Sequence, residues 1–140
     1  MLDHIDLKNS FLLTPSISPV SVEADTAGSG VDLRGCESEF LVIVNIGDTV
    51  TEGVDPDPDV AFEGTLKIQE SLNNATTNAE AASEAYADIT GATLDLASLE
   101  NQVATFKVRI RGKRYVRAYI DWTAGAGVIG VSILAAKRVL

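Results

Sequence analysis

Apolar and polar residues alternate along much of this chain with a period of two, the pattern of strands covered on one face. The clearest run is Thr105-Phe106-Lys107-Val108-Arg109-Ile110-Arg111, which puts Phe106, Val108 and Ile110 on one side. After Gly112, Arg114-Tyr115-Val116-Arg117-Ala118-Tyr119-Ile120-Asp121 alternates again. The two runs read as a hairpin whose register follows from cross-strand pairing. A two-residue Gly112-Lys113 loop opposes Arg111 to Arg114 and Arg109 to Val116, which is unfavourable. A three-residue Arg111-Gly112-Lys113 loop pairs Val108 with Val116 and Phe106 with Ala118. Its other face then sets Arg109 against Tyr115 and Thr105 against Tyr119, a cation–π surface, while Lys107 meets Arg117. The three-residue loop is the preferred reading.

Other segments carry the same signal less strictly. Phe40-Leu41-Val42-Ile43-Val44-Asn45-Ile46 is a continuous apolar run rich in β-branched residues, which fits a central strand buried on both faces. Thr65-Leu66-Lys67-Ile68-Gln69-Glu70-Ser71 alternates, and Val131-Ser132-Ile133-Leu134-Ala135-Ala136 forms a last strand. Val20–Ala24 and Val31–Leu33 read as short strands separated by a Gly28-Ser29-Gly30 turn. The segment Asp48–Glu63, with Asp55-Pro56-Asp57-Pro58-Asp59, reads as a long exposed loop that its prolines keep extended. One helix is expected around residues 78–88, where Thr77-Asn78-Ala79-Glu80 matches a capping box ahead of an alanine-rich stretch. The stretch Gly91–Gln102 suits either period.

Residues 1–19 are punctuated by Pro15 and Pro19, which fix φ and remove donors. They read as an extended N-terminal arm, docked on a neighbour or packed on its own domain. The rest, residues 20–140, reads as one domain. Seven or eight short strands with turn signals between them predict an all-β fold, an antiparallel β-sandwich or jelly roll.

Composition narrows the functional classes. The chain has 140 residues, 46% of them apolar, enough for one globular core without a disulfide or metal staple. Cys36 is the only cysteine and His4 the only histidine, so disulfide frameworks and multi-cysteine or His-paired metal sites are excluded. The N-terminus lacks the basic stretch of a secretory signal, and no apolar run is long enough for a membrane span. The formal net charge is −9, unevenly spread. Residues 1–104 carry 3 basic and 19 acidic side chains, whereas residues 105–140 carry 8 basic and 1 acidic. Such a dipolar chain either folds its basic end onto its acidic part or offers it to an acidic partner. Nucleic acid is disfavoured, because the overall charge opposes approach to a polyanion.

Candidate chemistry is sparse. Gly125-Ala126-Gly127-Val128-Ile129-Gly130 matches G-x-G-x-x-G, but a dinucleotide site needs a following helix and an acidic residue about twenty positions later. Neither fits in the remaining chain, so the motif reads as a glycine-rich turn or closely packed strand. Asp55, Asp57 and Asp59 lack the spacing of a Ca²⁺ loop and read as a solvated surface. Cys36 lies beside Glu37 and Glu39, whose charge suppresses thiolate, and reads as a structural thiol. With no acid–base pair, triad or phosphate loop, the expectation is a protein that is not an enzyme and holds no metal or cofactor.

Three stretches, Gly30-Val31-Asp32-Leu33-Arg34-Gly35, Thr65-Leu66-Lys67-Ile68-Gln69-Glu70-Ser71 and Gly112-Lys113-Arg114-Tyr115-Val116-Arg117, occur in this order and at similar spacing in small proteins of tailed-phage head modules. The chain resembles the capsid cement (decoration) proteins of that group over most of residues 20–138. Where such proteins often carry a D-D/N-G turn after the second stretch, this chain has Leu72-Asn73-Asn74. The resemblance implies a jelly-roll virion protein, made in the host bacterial cytoplasm. It would sit on the outer surface of an icosahedral head and clamp neighbouring major capsid subunits. It would do so as a homo-dimer or trimer, with no nucleic-acid or membrane partner. The expected contacts are the arm, through Phe11, Leu12, Leu13 and Ile17, and a basic-aromatic face holding Lys107, Arg109, Tyr115, Arg117 and Tyr119. The rival expectation is a carbohydrate-binding β-sandwich displayed on the head, with Trp122, Tyr115 and Tyr119 as a stacking platform.

Overall fold

A computed structural model of the chain describes residues 7–73 and 86–138. After one helical turn, Leu7–Ser10, come β1 (Phe11–Val22), β2 (Thr26–Ala27), β3 (Val31–Asp32) and β4 (Cys36–Ile46). They are followed by β5 (Val50–Thr51), β6 (Val60–Ala61), β7 (Glu63–Ser71) and β8 (Ala87–Asp95). The chain closes with β9 (Gln102–Arg109), β10 (Tyr115–Ala124) and β11 (Gly127–Lys137).

Two antiparallel sheets face each other. Sheet A has the order β1-β11-β4-β9, and sheet B the order β2-β10-β7-β8, with β3 also on β10. β2 and β3 are two halves of one interrupted strand, pairing with Tyr119–Ile120 and Tyr115–Val116 of β10. Counted so, four antiparallel ribbons exist: β1 with β11, β2/β3 with β10, β4 with β9, and β7 with β8. The ribbons fall alternately into sheets A and B, and β11–β4 and β10–β7 pairings knit them together. This rolled ribbon is a jelly roll, the expected fold class.

Alternation builds the core. Val42 and Val44 of β4, Ile129, Val131 and Ile133 of β11, Leu66 and Ile68 of β7, and Val116, Ala118 and Ile120 of β10 all point inward and are essentially inaccessible. Each such valine, leucine or isoleucine contributes roughly 1.5–3 kcal/mol by leaving water. At the edge where β1 faces sheet B, the buried Ser16 links the sheets. Its Oγ accepts from the Ala118 amide at 2.8 Å and donates to the Ser29 carbonyl at 2.8 Å. The Ala118 amide needs this acceptor because it lies opposite the break between β2 and β3.

Four expectations change. β9 and β10 do not form a hairpin: β9 pairs with β4 in sheet A and β10 with β7 in sheet B. Residues 110–114 therefore cross between sheets. Val108 and Val116 still reach one core, but from opposite sides. Second, Phe11–Val22 is extended as expected but is not a separate arm, because it pairs with β11 from Phe11↔Ala136 to Val22↔Gly127. Pro15 and Pro19 are tolerated because β1 is an edge strand. The sandwich thus reaches back to Phe11 instead of starting at residue 20. Third, the helix around 78–88 lies outside the described residues except at its end, where Ala87 and Asp88 already open β8 by pairing with Glu70 and Gln69. Finally, segment 48–63 doubles back: Val50–Thr51 pairs with Val60–Ala61, and the Asp59 carboxylate accepts from the Gly53 amide at 2.9 Å.

Candidate interaction surface

The stretches that carry the family resemblance come together in sheet B. Tyr115 stands between Asp32 of β3 and Ser71 of β7. The Arg114 guanidinium grips the Asp32 carboxylate through two hydrogen bonds, 2.9 and 2.7 Å, and holds it below the usual carboxylate range. Leu33 donates its amide to the Arg114 carbonyl, and Arg114 donates its own to Ser71. One row further, Arg117 Nε donates to Gln69 Oε1 at 2.8 Å, and the Arg111 amide donates to Glu70. These residues hold strands together at one end of the sandwich.

The expected basic-aromatic face is divided by the same crossover. Arg117, Tyr115 and Tyr119 lie on the outer face of sheet B, where Arg117 stacks on Tyr86 at 4.3 Å and reaches Tyr119 at 5.9 Å. Burial pushes the Tyr86 hydroxyl up to about 12 and raises Tyr119, and it lowers Arg117 from its ordinary value. Lys107 and Arg109 lie on the outer face of sheet A, both within 4.0 Å of Glu39. Arg109 does not meet Tyr115.

The arm residues divide too. Leu12 and Ile17 turn inward to the core, whereas Phe11 and Leu13 point out of sheet A, opposite Ala136 and Leu134. Trp122 has inward parity on β10, and its indole donates to the Gly125 carbonyl at 2.7 Å. It therefore lies on the opposite face from Tyr115 and Tyr119, and the three rings do not form a platform.

The outer faces of the two sheets differ in kind. On sheet B, Lys67 lies between Asp88 and Asp121, 3.6 and 3.2 Å away, and both carboxylates raise its pKa. Thr65, Thr93 and Gln69 complete a polar surface. On sheet A the cross-strand rows are mixed and richer in apolar side chains. One row reads Leu13, Leu134, Leu41 and Lys107; the next reads Pro15, Ser132, Ile43 and Thr105. Leu13 is 64% exposed and Val103 61%. Two shallow depressions mark this face. One, of about 250 Å³, is lined by Phe11, Leu41, Leu134 and Ala136 together with Glu39 and Lys107; the other, of about 300 Å³, by Pro19, Val103 and Val128 together with Asn45, Asn101 and Gln102. Pro19 lies over Gly130, where a Cβ would meet its ring at 2.9 Å, so the apolar surface continues across β11. Sequence reasoning missed this face because it singled out β1 and β9 and treated Leu41 and Ile43 of β4 as buried.

Charge is segregated along the strands. One end gathers Arg34, Arg111, Lys113, Lys137 and Arg138, from connections 33–35 and 110–114 and the end of β11. The connections at the other end, 23–25, 47–63, 95–101 and 124–126, contain acids such as Glu23, Asp48, Asp57 and Glu100 but no lysine or arginine. Acids share the basic end: Glu39 pairs with Lys107 and Arg109, and Asp32 with Arg114, so the basic part of the chain folds partly onto its acidic part.

The remaining candidates are placed without chemistry. Cys36 is buried, and desolvation is the main cause of its raised pKa; Glu39 points the other way, off the outer face. Gly125, Gly127 and Gly130 belong to the β10–β11 turn and to β11. No group of three His, Cys, Asp or Glu side chains suited to a metal occurs among the described residues. His4 lies outside them. No protein-family model matches the chain, and no curated protein matches it significantly.

Proposed function

We propose that this protein is a structural virion component, a cement protein that binds the outer surface of an icosahedral tailed-phage head and clamps neighbouring major capsid subunits. The observation that carries the reading is the outer face of sheet A, where Leu13, Leu134, Leu41 and Ile43 form a partly exposed apolar strip beside the Glu39–Lys107–Arg109 cluster, set against a polar outer face on sheet B. Large apolar patches exposed on one side of a rigid scaffold mark protein–protein contact. The resemblance to cement proteins supplies the identity of the partner. The jelly roll itself adds little, since it hosts capsid, lectin and enzyme functions alike.

The role requires rigidity and complementary surfaces rather than reactive groups. Rolled ribbons with both sheets knitted through β11–β4 and β10–β7 provide a stiff frame. Symmetry-related repeats of one modest contact on a shell then give avidity. The test is co-sedimentation of the protein with undecorated heads. Saturable binding at a fixed ratio to the major capsid protein is the expected result, and no binding to any mature head sinks the reading. Deleting residues 1–19 is no clean probe, because it strips most of β1 from sheet A.

A further inference from the structure

We infer that the free edge of β9 takes up an extended segment of a partner protein, acidic at alternate positions, as an added strand of sheet A. Under the cement reading, on which the choice of partner rests, that segment belongs to the major capsid protein.

The two sheets end in four edge strands, and three of them are closed to a further strand. β1 carries Pro15, Pro19 and two register shifts, and β2/β3 is broken into two pieces of two residues. In β8, residues 89–92 stand opposite Ile68 alone and Gly91 takes a φ of 80°, so that edge is bulged. β9 has none of these devices. Its eight residues, Gln102–Arg109, contain no proline or glycine and pair with β4 in unbroken register from Ile46↔Gln102 to Glu39↔Arg109.

Register also fixes which backbone groups are open. The Ile110 amide donates to the Ser38 carbonyl at 2.9 Å, so by antiparallel alternation Ala104, Phe106 and Val108 turn their amides and carbonyls to β4. Val103, Thr105, Lys107 and Arg109 turn theirs away, and no strand among the described residues pairs on that side. A depression of about 170 Å³, lined by residues 89–92 and by Lys107, Val108, Arg109 and Arg111, separates this edge from β8. Ala104 and Phe106, inward in parity, are only half-buried along it. An added strand bonds the four outward amides and covers Phe106 from the side, which is how exposed sheet edges take up peptides.

Charge selects the partner. Lys107 and Arg109 are largely exposed, and Arg111 follows two residues on. Glu39, on the β4 side, lies 4.0 and 3.8 Å from the first two, and the Glu70 carboxylate accepts from the Arg111 amide. Cations along an edge repel an edge like itself, because β9 laid on another β9 over this half sets Lys107 and Arg109 against the same residues. Carboxylates at alternate positions of an incoming strand stand directly opposite them instead.

Amide exchange on the full chain tests the edge without a capsid. The probe is a blocked peptide of about ten residues alternating glutamate with valine, and its control replaces every glutamate with lysine. At about 1 mM of the acidic peptide, exchange at Val103, Thr105, Lys107 and Arg109 should slow several-fold. Ala104, Phe106 and Val108, already bonded to β4, should keep their rates, and the lysine peptide should have no effect. No slowing, or equal slowing by both peptides, overturns the inference. Thr105→Pro removes an outward amide and no bond to β4, a change that β1 tolerates at Pro15 and Pro19. Lys107→Glu combined with Arg109→Glu reverses the charge. Both variants should keep a urea midpoint near that of the wild type and lose the protection.

Head binding keeps the two readings apart. Wild type and Thr93→Pro, the matched change at an outward amide of β8, should co-sediment with heads, and Thr105→Pro should bind about tenfold more weakly. If the two β9 variants are folded and bind heads like the wild type, the inference is overturned and the cement role stands. Peptide protection in a protein that binds no heads leaves the edge standing and sinks the cement role.

Discussion

Ser16 carries more of the architecture than its size suggests. It sits at a register shift in β1 and is 4% exposed, and its hydroxyl serves Ala118 in the opposite sheet as well as Ser29. Ser16→Ala leaves the Ala118 amide buried without an acceptor, an expected loss of about 1–3 kcal/mol in urea unfolding. Gly28 is the companion constraint. A Cβ there would stand 2.4 Å from Ser16 Oγ and 2.7 Å from its carbonyl oxygen, so Gly28→Ala is expected to destabilise by a comparable amount. Tyr86 makes the pH dependence legible. Its folded pKa, raised from 10.0 to about 12 by burial, means the fold favours the neutral phenol. That contribution is complete below pH 10 and lost as pH rises through about 12. Urea midpoints taken across this range should fall for the wild type and fall less for Tyr86→Phe. Cys36, buried and with its thiol pKa raised, should react with a thiol reagent only as fast as the protein opens.

At the scale of elements, the strands differ in what they risk. β1 is an edge strand whose prolines remove two donors, which blunts edge-to-edge addition. β7 and β10 are interior to sheet B, and truncating Leu66 or Ile120 to alanine should cost about 2–5 kcal/mol of stability, with little change in denaturant slope. Val54, 80% exposed in the β5–β6 connection, should tolerate alanine almost without effect by the same measurement. The Asp32–Arg114 pair joins β3 to the crossover that leads into β10, but both side chains are 41% exposed, so it counts as a solvent-screened surface ion pair. Its linkage runs opposite to that of Tyr86. With the Asp32 pKa lowered, the stabilisation is present above pH 3.8 and lost as pH falls through the folded value.

For the whole molecule, the proposed function rests on asymmetry: the outer face of sheet B is polar, while that of sheet A exposes an apolar strip beside the Glu39–Lys107–Arg109 cluster. Substitutions on sheet A's outer face should therefore alter assembly while leaving the unfolding midpoint nearly unchanged, and core substitutions should do the reverse. Comparing Leu13→Glu with Leu66→Ala by sedimentation and urea unfolding separates the two classes. The existence of β4, β7, β9, β10 and β11 and the inward set Phe106, Val108, Ile110, Val116 and Ala118 were legible in the sequence. Alternation is a local property, and a residue's face follows from its parity. The antiparallel sandwich or jelly roll as a class followed from the count of short strands. Partnership was not legible, because parity is satisfied whichever strand lies alongside. Phe106–Ile110 and Val116–Ile120 cover one core equally well as a hairpin or from opposite sheets. Rolling the ribbon separated Lys107 and Arg109 from Arg117 and Tyr119, turned Leu12 inward and Leu13 outward, and gathered Leu13, Leu41, Ile43 and Leu134 from three strands onto one surface. Such a face exists only when non-local pairing sets distant segments side by side, so the sequence determined the strands and their parity while tertiary structure alone decided the surface.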